Sequence, residues 1–314
     1  MALYAYRRLK SIKHAEPQHK TNHMLSTRQK IFLARCTYEL VHALRRLLRR
    51  ADRVQVARGG IRWELDLAEG IDFSIYLLGG FERSTAATYA RIIRAGDVVL
   101  DVGANIGAHT LPFARLVGPD GLVVAFEPTA YAFDKLERNA ALNPTLMPRL
   151  RRERLMLTDS TDTAPVPNLY SSWPLRGRGR PQHATHLGVL ADTTGAKATT
   201  LDEYVQRHSL PRVDFLKIDV DGHECRVLRG SAQTIGRHQP DILIEFMPHG
   251  LEEAGESFAT LVEILKGAGY KFLRVPDLAP LPDDAQRLRR LIPTGGGINV
   301  LCRVPRTSSA RESV

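Results

Sequence analysis

Seven residues, Asp101-Val102-Gly103-Ala104-Asn105-Ile106-Gly107, and one carboxylate twenty positions after them, Glu127, carry the strongest chemical signal in this chain. The seven follow the apolar run Val98-Val99-Leu100 and precede a helical-looking stretch from Ala108 to Val117. Glu127 ends a second apolar run, Leu122-Val123-Val124-Ala125-Phe126. The pattern is a strand, a glycine turn, a helix, a second strand and a terminal carboxylate. Glycine lets the backbone turn sharply and approach a ligand closely. A helix N-terminus offers unpaired N–H groups, and a carboxylate after the second strand suits the two hydroxyls of a ribose. These residues are suited to holding an adenosine-containing cofactor.

The spacing narrows the choice of cofactor. A dinucleotide site uses G-x-G-x-x-G, which seats a pyrophosphate on the helix N-terminus. Here the spacing is G-x-x-x-G, and Asp101, two residues before the first glycine, would repel a pyrophosphate while favouring an amino group. S-adenosylmethionine has a cationic ammonium and sulfonium and no phosphate, and D-x-G-x-x-x-G with a later Glu resembles the first motif and ribose acid of Rossmann-like methyltransferases. An NAD-dependent oxidoreductase is the enzyme rival that this spacing disfavours.

Positioning these residues requires a parallel sheet. Residues 27–50 suit a helix, with Leu33, Cys36, Leu40, Leu44, Leu47 and Leu48 at three- and four-residue steps. Its expected form is a packed helix with a solvated basic face; lying on an anionic membrane is the alternative. Residues 54–67 alternate around Gly59-Gly60, which predicts a hairpin. A short helix or strand over 71–78 and a helix over 84–94 lead to the core at Val98. Residues 129–142 are predicted helical, and Arg154 to Leu157 is a strand candidate ending at Asp159. Residues 160–195, rich in Thr, Pro, Gly and Arg, form a long connection of the kind that serves as a functional loop or lid. A capped helix start at 199–206, a buried strand at 213–220, a helix over 221–235, a strand at 241–246 and a helix over 258–267 follow. The runs 270–275 and 298–304, with no helix-length amphipathic segment between them, predict a final antiparallel pair. Alternating strands and helices make the fold α/β with a mostly parallel sheet. The chain divides into a basic, largely helical extension over 1–53, a hairpin and helix over 54–97, and a cofactor-binding domain over 98–314 with the 160–195 insert.

Four segments in order, Asp-Val-Gly-Ala-Asn-Ile-Gly (101–107), Ala-Phe-Glu-Pro (125–128), Thr-Thr-Leu-Asp-Glu-Tyr (199–204) and Leu-Lys-Ile-Asp-Val-Asp-Gly-His-Glu (216–224), followed by Val-Leu-Arg-Gly (227–230), resemble the FkbM family of S-adenosylmethionine-dependent methyltransferases. Ile75-Tyr76 and Gly80-Phe81-Glu82 resemble that family's segment before the core. The resemblance covers roughly residues 56–250 and leaves residues 1–50 outside. It implies a Rossmann-like class I methyltransferase fold with seven strands, the last antiparallel. It implies S-adenosyl-L-methionine as cofactor and methyl transfer to a hydroxyl of a sugar, glycoside or polyketide-like natural product. Two departures are Asp221, where the family more often has Glu, and the Arg- and Pro-rich stretch 174–181.

Ligands of open α/β sheets bind beyond the carboxyl ends of the strands. Asp101, Glu127, Asp159, Asp219 and Glu245 are the acids expected there. Asp101, Gly103, Ala104, Asn105, Ile106 and Gly107 are expected to form the cofactor loop, with Gly103 and Gly107 admitting the methionine part. Glu127, followed by Pro128, takes the ribose, and Asp159 or Thr158 the adenine edge. Methyl transfer to a neutral hydroxyl needs in-line positioning and a base. Lys217, Asp219 and His223 are the catalytic candidates, and Lys217 and Asp219 share one strand face by the two-residue period. Asp219 is the candidate base, acceptor-orienting group or cofactor contact. His223 has a suitable ordinary pKa, with a helix-capping or exposed role as its alternative. Asp219, Asp221 and Glu224 would also suit a hard cation, although the resemblance requires no metal. His183 and His186 are the next candidate bases.

Charge adds a second feature. The net charge of the 314-residue chain is +10, and residues 1–50, with 12 Lys and Arg against Glu16 and Glu39, account for all of it. The remainder is neutral, so the basic balance bears on the N-terminal segment alone. It leaves room for weak contact of residues 1–50 with an anionic membrane, and for a membrane-associated enzyme acting on a glycolipid. Nucleic acid is not expected, since Tyr4, Tyr6, Phe32 and Tyr38 form no stacking pattern. The three cysteines, Cys36, Cys225 and Cys302, have no metal or disulfide spacing. Together with the lack of a signal-like N-terminus they point to a cytoplasmic protein, peripheral at most, for which a homodimer is allowed.

Overall fold

The computed structural model describes residues 27–162, 165–176, 182–183 and 188–305. The chain begins with α1 (Thr27–Leu47), β1 (Arg53–Arg58), β2 (Ile61–Asp66), α2 (Gly70–Leu78) and α3 (Arg83–Tyr89). It continues through β3 (Val98–Val102), α4 (Thr110–Leu116), β4 (Leu122–Phe126), α5 (Ala130–Ala141), β5 (Leu150–Glu153), β6 (Leu155–Leu157), β7 (Asn168–Ser172), β8 (Val189–Asp192) and β9 (Lys197–Thr199). The rest comprises α6 (Leu201–Arg207), β10 (Phe215–Ile218), α7 (Glu224–Arg229), α8 (Ala232–His238), β11 (Asp241–Phe246), α9 (Pro248–Glu253), α10 (Phe258–Gly267), β12 (Lys271–Arg274), α11 (Ala285–Leu291) and β13 (Ile298–Arg303).

Seven strands in the order β12-β13-β11-β10-β3-β4-β5 form the central sheet. Neighbours from β11 to β5 run parallel, and β13 lies antiparallel between β11 and β12. This is the Rossmann-like, class I methyltransferase arrangement that the family resemblance implies. Every residue of β3 is buried, as a central strand covered on both faces must be. Its alternation splits the core. Leu100 and Val102 pack with Ile218 and Ile244 on one side, while Val99 packs with Phe215, Leu243 and Leu301 on the other, against the β1–β2 hairpin and α4.

Several boundaries differ from the sequence reading. The segment over 71–78 is a helix, and the one over 84–94 stops at Tyr89. The helix expected over 221–235 is two short helices, α7 and α8. The Asp202 carboxylate accepts the Gln233 and Thr234 N–H groups at the start of the second, at 2.9 and 2.7 Å. The strand expected at 154–157 is β6, but it pairs with β9 outside the central sheet. The third parallel strand in chain order is instead β5, at the sheet edge, whose charged Arg151-Arg152-Glu153 conceal it from hydropathy. Asp159 therefore does not end a sheet strand. Helix α11 lies between the last two strands, where none was expected.

Helix α1 is present as expected, but with its faces exchanged. The apolar set Leu33, Leu40, Leu44 and Leu47 is exposed, together with Cys36. The helix instead packs through Tyr38, which is 1% exposed. Its ring sits edge-on to Phe73 and stacked on His42. The Tyr38 hydroxyl donates to Asp52 at 3.0 Å, and His42 Nδ1 lies 2.8 Å from the same carboxylate. Burial, then the Asp52 bond, pushes the Tyr38 phenol up to about 12.

Candidate active site

The turn after β3 is held by contacts that glycine alone permits at one position. Gly103 has φ +82°, and a Cβ built there would lie 1.8 Å from the Asp219 carbonyl oxygen. The ends of β3 and β10 are therefore drawn together at a point where no side chain fits. Gly103 and Ala104 donate N–H groups to the Phe126 carbonyl at 3.0 Å, which ties the same turn to β4. Asn105 is left-handed, at φ +47°. Its N–H donates to Glu127 Oε2 at 3.0 Å. Glu127 Oε1 accepts the Thr129 N–H at 2.9 Å and its hydroxyl at 2.5 Å. Burial raises the Glu127 carboxyl above the usual range, against the pull of these donors.

Beyond this turn, Ile106 and Gly107 point away from the opening. Ile106 is 1% exposed and joins the core. A side chain at Gly107 would meet Leu136 of α5, so its role is to let α4 and α5 approach.

Behind the loop lies a buried ion pair cluster. Lys217, 4% exposed, places Nζ 3.2 Å from Asp219 Oδ2, 3.5 Å from Asp101 Oδ1 and 3.4 Å from the Gly103 carbonyl. Asp101 is fully buried and accepts the Thr110 hydroxyl at 2.6 Å, while its Oδ1 accepts no hydrogen bond. Burial works against the Lys217 charge, but Asp219 and Asp101 outweigh it and raise its pKa. Neighbouring carboxyls go the other way. Burial and then the Asp219 charge push Glu245 and Asp221 well above the carboxylate range. Burial likewise raises Glu224 to about 7, although it accepts the Gly222 and Val220 N–H groups.

These residues surround a cavity of about 840 Å³, a volume typical of small-molecule sites. Gly103, Ala104, Asn105, Glu127 and Pro128 line it from the loop, and Lys217, Asp219, Asp221 and Glu245 from the adjoining strand ends. Asp101 lies one layer beneath. The 160–195 insert contributes Leu169, Tyr170, Trp173 and, with it, Pro174 and Leu175. It is fastened there by Ser171, whose Oγ meets Thr129 Oγ1 at 2.8 Å and whose carbonyl accepts Asn105 Nδ2 at 3.3 Å. Part of the 174–181 stretch and His186 lie outside the described residues. His183 packs edge-on to Tyr170 and lies 3.4 Å from Glu253.

The remaining predicted residues are elsewhere. Thr158 and His223 line a separate opening of about 30 Å³ with Gly103, Phe126 and Pro128, and Asp159 lines neither. His223 stands at the N-cap of α7 without capping it; the Glu224 carboxylate takes the turn's N–H groups instead. Burial, then Arg226, lowers the His223 pKa. Among the described residues no three His, Cys, Asp or Glu side chains are disposed around one metal ion.

Four contributors had no local signal. Glu82 and His109 face the cavity, Nε2 to Oε2 at 3.6 Å. Burial opposes ionisation of Glu82, but His109 and the Asn299 amide hold its carboxyl below the usual range. Leu33 to Thr37 of α1 and the Gly295–Gly297 turn close the walls. The Gly-Phe-Glu sequence marked Glu82 only through the family resemblance.

Comparison with known proteins gives a match to the methyltransferase FkbM domain over residues 101–272. The hexuronic acid methyltransferase AglP of Haloferax volcanii is 31% identical over 44% of this chain and 52% of its own length. Methyltransferase sdnD of Sordaria araneosa is 32% identical over 42% of this chain and 59% of its own. The 31-O-demethyl-FK506 methyltransferase FkbM of Streptomyces tacrolimicus is 26% identical over 59% and 76%. The chain thus spans little more than half the length of the first two relatives. Because the matched domain occupies more than half of this sequence and includes the Gly103 turn, Glu127 and the Lys217–Glu224 segment, the chain belongs to the FkbM methyltransferase family.

Proposed function

We propose that this protein is an S-adenosylmethionine-dependent O-methyltransferase acting on a hydroxyl of a sugar, glycoside or polyketide-like natural product. The observation that carries the reading is the joining of a side-chain-free turn at Gly103 to a carboxylate, Glu127, on the wall of one cavity. The residues fit the cofactor. Glu127 accepts the Asn105 N–H on Oε2 and both Thr129 donors on Oε1, which leaves a lone pair on Oε2 for a ribose hydroxyl. The surplus of carboxylates around Lys217 suits a ligand with ammonium and sulfonium charges and disfavours a pyrophosphate. Bound there, S-adenosylmethionine supplies an activated methyl group. Thr158 and Pro128 border the adjoining opening of about 30 Å³, which has to widen before it admits an adenine.

The chain's own residues supply positioning and proton transfer. Asp219 faces the cavity and is held by Lys217, so it serves as base or as the group orienting the acceptor hydroxyl. Glu82 with His109 is a polar pair on the same wall that can orient the acceptor hydroxyl. His223, turned to the small opening, is assigned to the cofactor side. For the acceptor, AglP is named for a hexuronic acid and FkbM for a 31-O-demethyl compound, which supports a small hydroxylated acceptor. A second reading, a membrane-associated enzyme acting on a glycolipid, shares this core and is favoured by the outward apolar face of α1.

Calorimetry on the purified chain is expected to show binding of S-adenosylmethionine and S-adenosylhomocysteine but not NAD. A screen with labelled methyl donor against sugars, glycosides and macrolide alcohols then identifies the acceptor. On that acceptor Asp219→Asn is expected to lose on the order of a hundredfold or more in rate with near-normal S-adenosylhomocysteine affinity. Tighter binding of NAD than of S-adenosylhomocysteine overturns the reading.

A further inference from the structure

Helix α1 presents leucines where a solvated helix would present charge. Phe32, Leu33, Leu40, Leu44 and Leu47 are 70%, 57%, 74%, 58% and 80% exposed. The 3.6-residue period sets them on one side, opposite the buried Tyr38. Single exposed leucines are ordinary, whereas a contiguous stripe marks a surface that meets a partner. The stripe does not end at the helix. Leu77 and Leu78 of α2 are also exposed, and with Leu33 they line the cavity. Arg46, Arg49 and Arg50 are exposed beside it.

We propose that this face docks on the surface of an anionic membrane, with α1 parallel to the bilayer and the cavity opening turned towards lipid. Charge selects the occupant. Residues 1–50 carry the whole +10 of the chain, so a second copy seated on the stripe would bring two like-charged segments together. Anionic headgroups attract the same segment while the apolar stripe enters the headgroup boundary. The proposed contact is peripheral, and no helix among the described residues is long and apolar enough to cross a membrane. Resting on the methyltransferase reading, this orientation also specifies the acceptor. It is an amphiphile whose apolar part stays in lipid while its hydroxylated headgroup passes Leu33, Leu77 and Leu78.

The test is sedimentation of the full chain with vesicles of phosphatidylcholine, alone or mixed with phosphatidylglycerol, at low and high salt. The Leu40→Ser/Leu44→Ser/Leu47→Ser variant is run alongside. Expected results are binding to the phosphatidylglycerol vesicles, weakening with salt, and a loss on the order of a hundredfold in the variant. The three positions are exposed and lie outside the cavity, so the variant keeps its circular dichroism and its affinity for S-adenosylhomocysteine. Absence of wild-type binding at low salt overturns the proposal, as does undiminished binding of the variant. A stable wild-type dimer that the three substitutions dissolve also overturns it. Vesicle binding is read without acceptor or cofactor, so a wild-type chain that fails to bind S-adenosylhomocysteine strikes the methyltransferase reading and not the docking face.

Discussion

Replacing Lys217 with methionine keeps the length and apolar stem of the side chain and removes its charge, leaving two carboxylates to face each other across the end of β10. Asp101 bears most of the consequence, because it is fully buried and its Oδ1 accepts no hydrogen bond. Asp219 is one-third exposed, so water takes up part of its loss. Stripping one partner from a buried pair costs about 3–5 kcal/mol, and the solvation of Asp219 puts Lys217→Met at the lower end, about 3 kcal/mol. The volume is conserved, so little is added for packing. The sign with pH follows from the raised Lys217 pKa. A base whose folded value exceeds its unfolded one stabilises fully below the unfolded value and loses that contribution as pH rises through the folded value. At neutral pH the whole effect is therefore present. Urea denaturation of wild type, Lys217→Met, Asp101→Asn and the double variant measures it, with the midpoint shifting at constant slope. The double variant is expected to recover most of the loss, because no unpaired buried charge remains on Asp101. A Lys217→Met midpoint indistinguishable from wild type, or a double variant no more stable than Lys217→Met, refutes the reasoning.

Glu127→Gln turns an amide N–H₂ towards one of the loop N–H donors and removes the charge, so S-adenosylhomocysteine affinity is expected to fall by about 1–3 kcal/mol in calorimetry; an unchanged affinity contradicts the ribose assignment. Glu224, with its carboxyl raised from 4.5 to about 7, favours the fold most below 4.5 and loses that contribution as pH rises through about 7. The loss is about 3 kcal/mol. Glu224→Gln is expected to flatten the wild-type decline in urea midpoint between roughly pH 5 and pH 8, and parallel declines in both proteins would rule out Glu224 as its source.

The central strands and the site loop were legible because burial and chemistry coincide there. β4 is an unbroken apolar run, β3 and β10 are apolar but for Asp101 and Lys217, and the three lead into Glu127, Gly103 and Asp219. β5 was not legible, since at the sheet edge Arg151 is exposed while Arg152 and Glu153 bond to Glu137 and Tyr204, and the run reads as polar. The α1 periodicity correctly grouped Leu33, Leu40, Leu44 and Leu47 on one face. It gave no sign that this face is uncovered, because the helix is fastened by Tyr38 and His42 to Asp52, a polar contact with no periodic signature. Asp159 was misplaced for a related reason: β6 is short and apolar like a sheet strand, but its partner, β9, is found only in the folded chain. His109 had no motif, and its approach to Glu82 exists only once α3 and α4 are packed.

The cavity has a floor and a roof of different make. The floor consists of strand ends, where Gly103 admits no substitution without parting β3 from β10. The roof is assembled from α1, α2, the insert and the Gly295–Gly297 turn, which are far apart in the chain. Gly297 shows how finely the roof bears on the floor: a Cβ there would lie 2.1 Å from Glu245 Oε1. A single methyl group at that turn would push the carboxylate aside and reshape the chamber while leaving every strand in register. Selectivity in such a molecule can drift through its ceiling, by small changes in surface segments, while the sheet beneath keeps its inheritance unchanged.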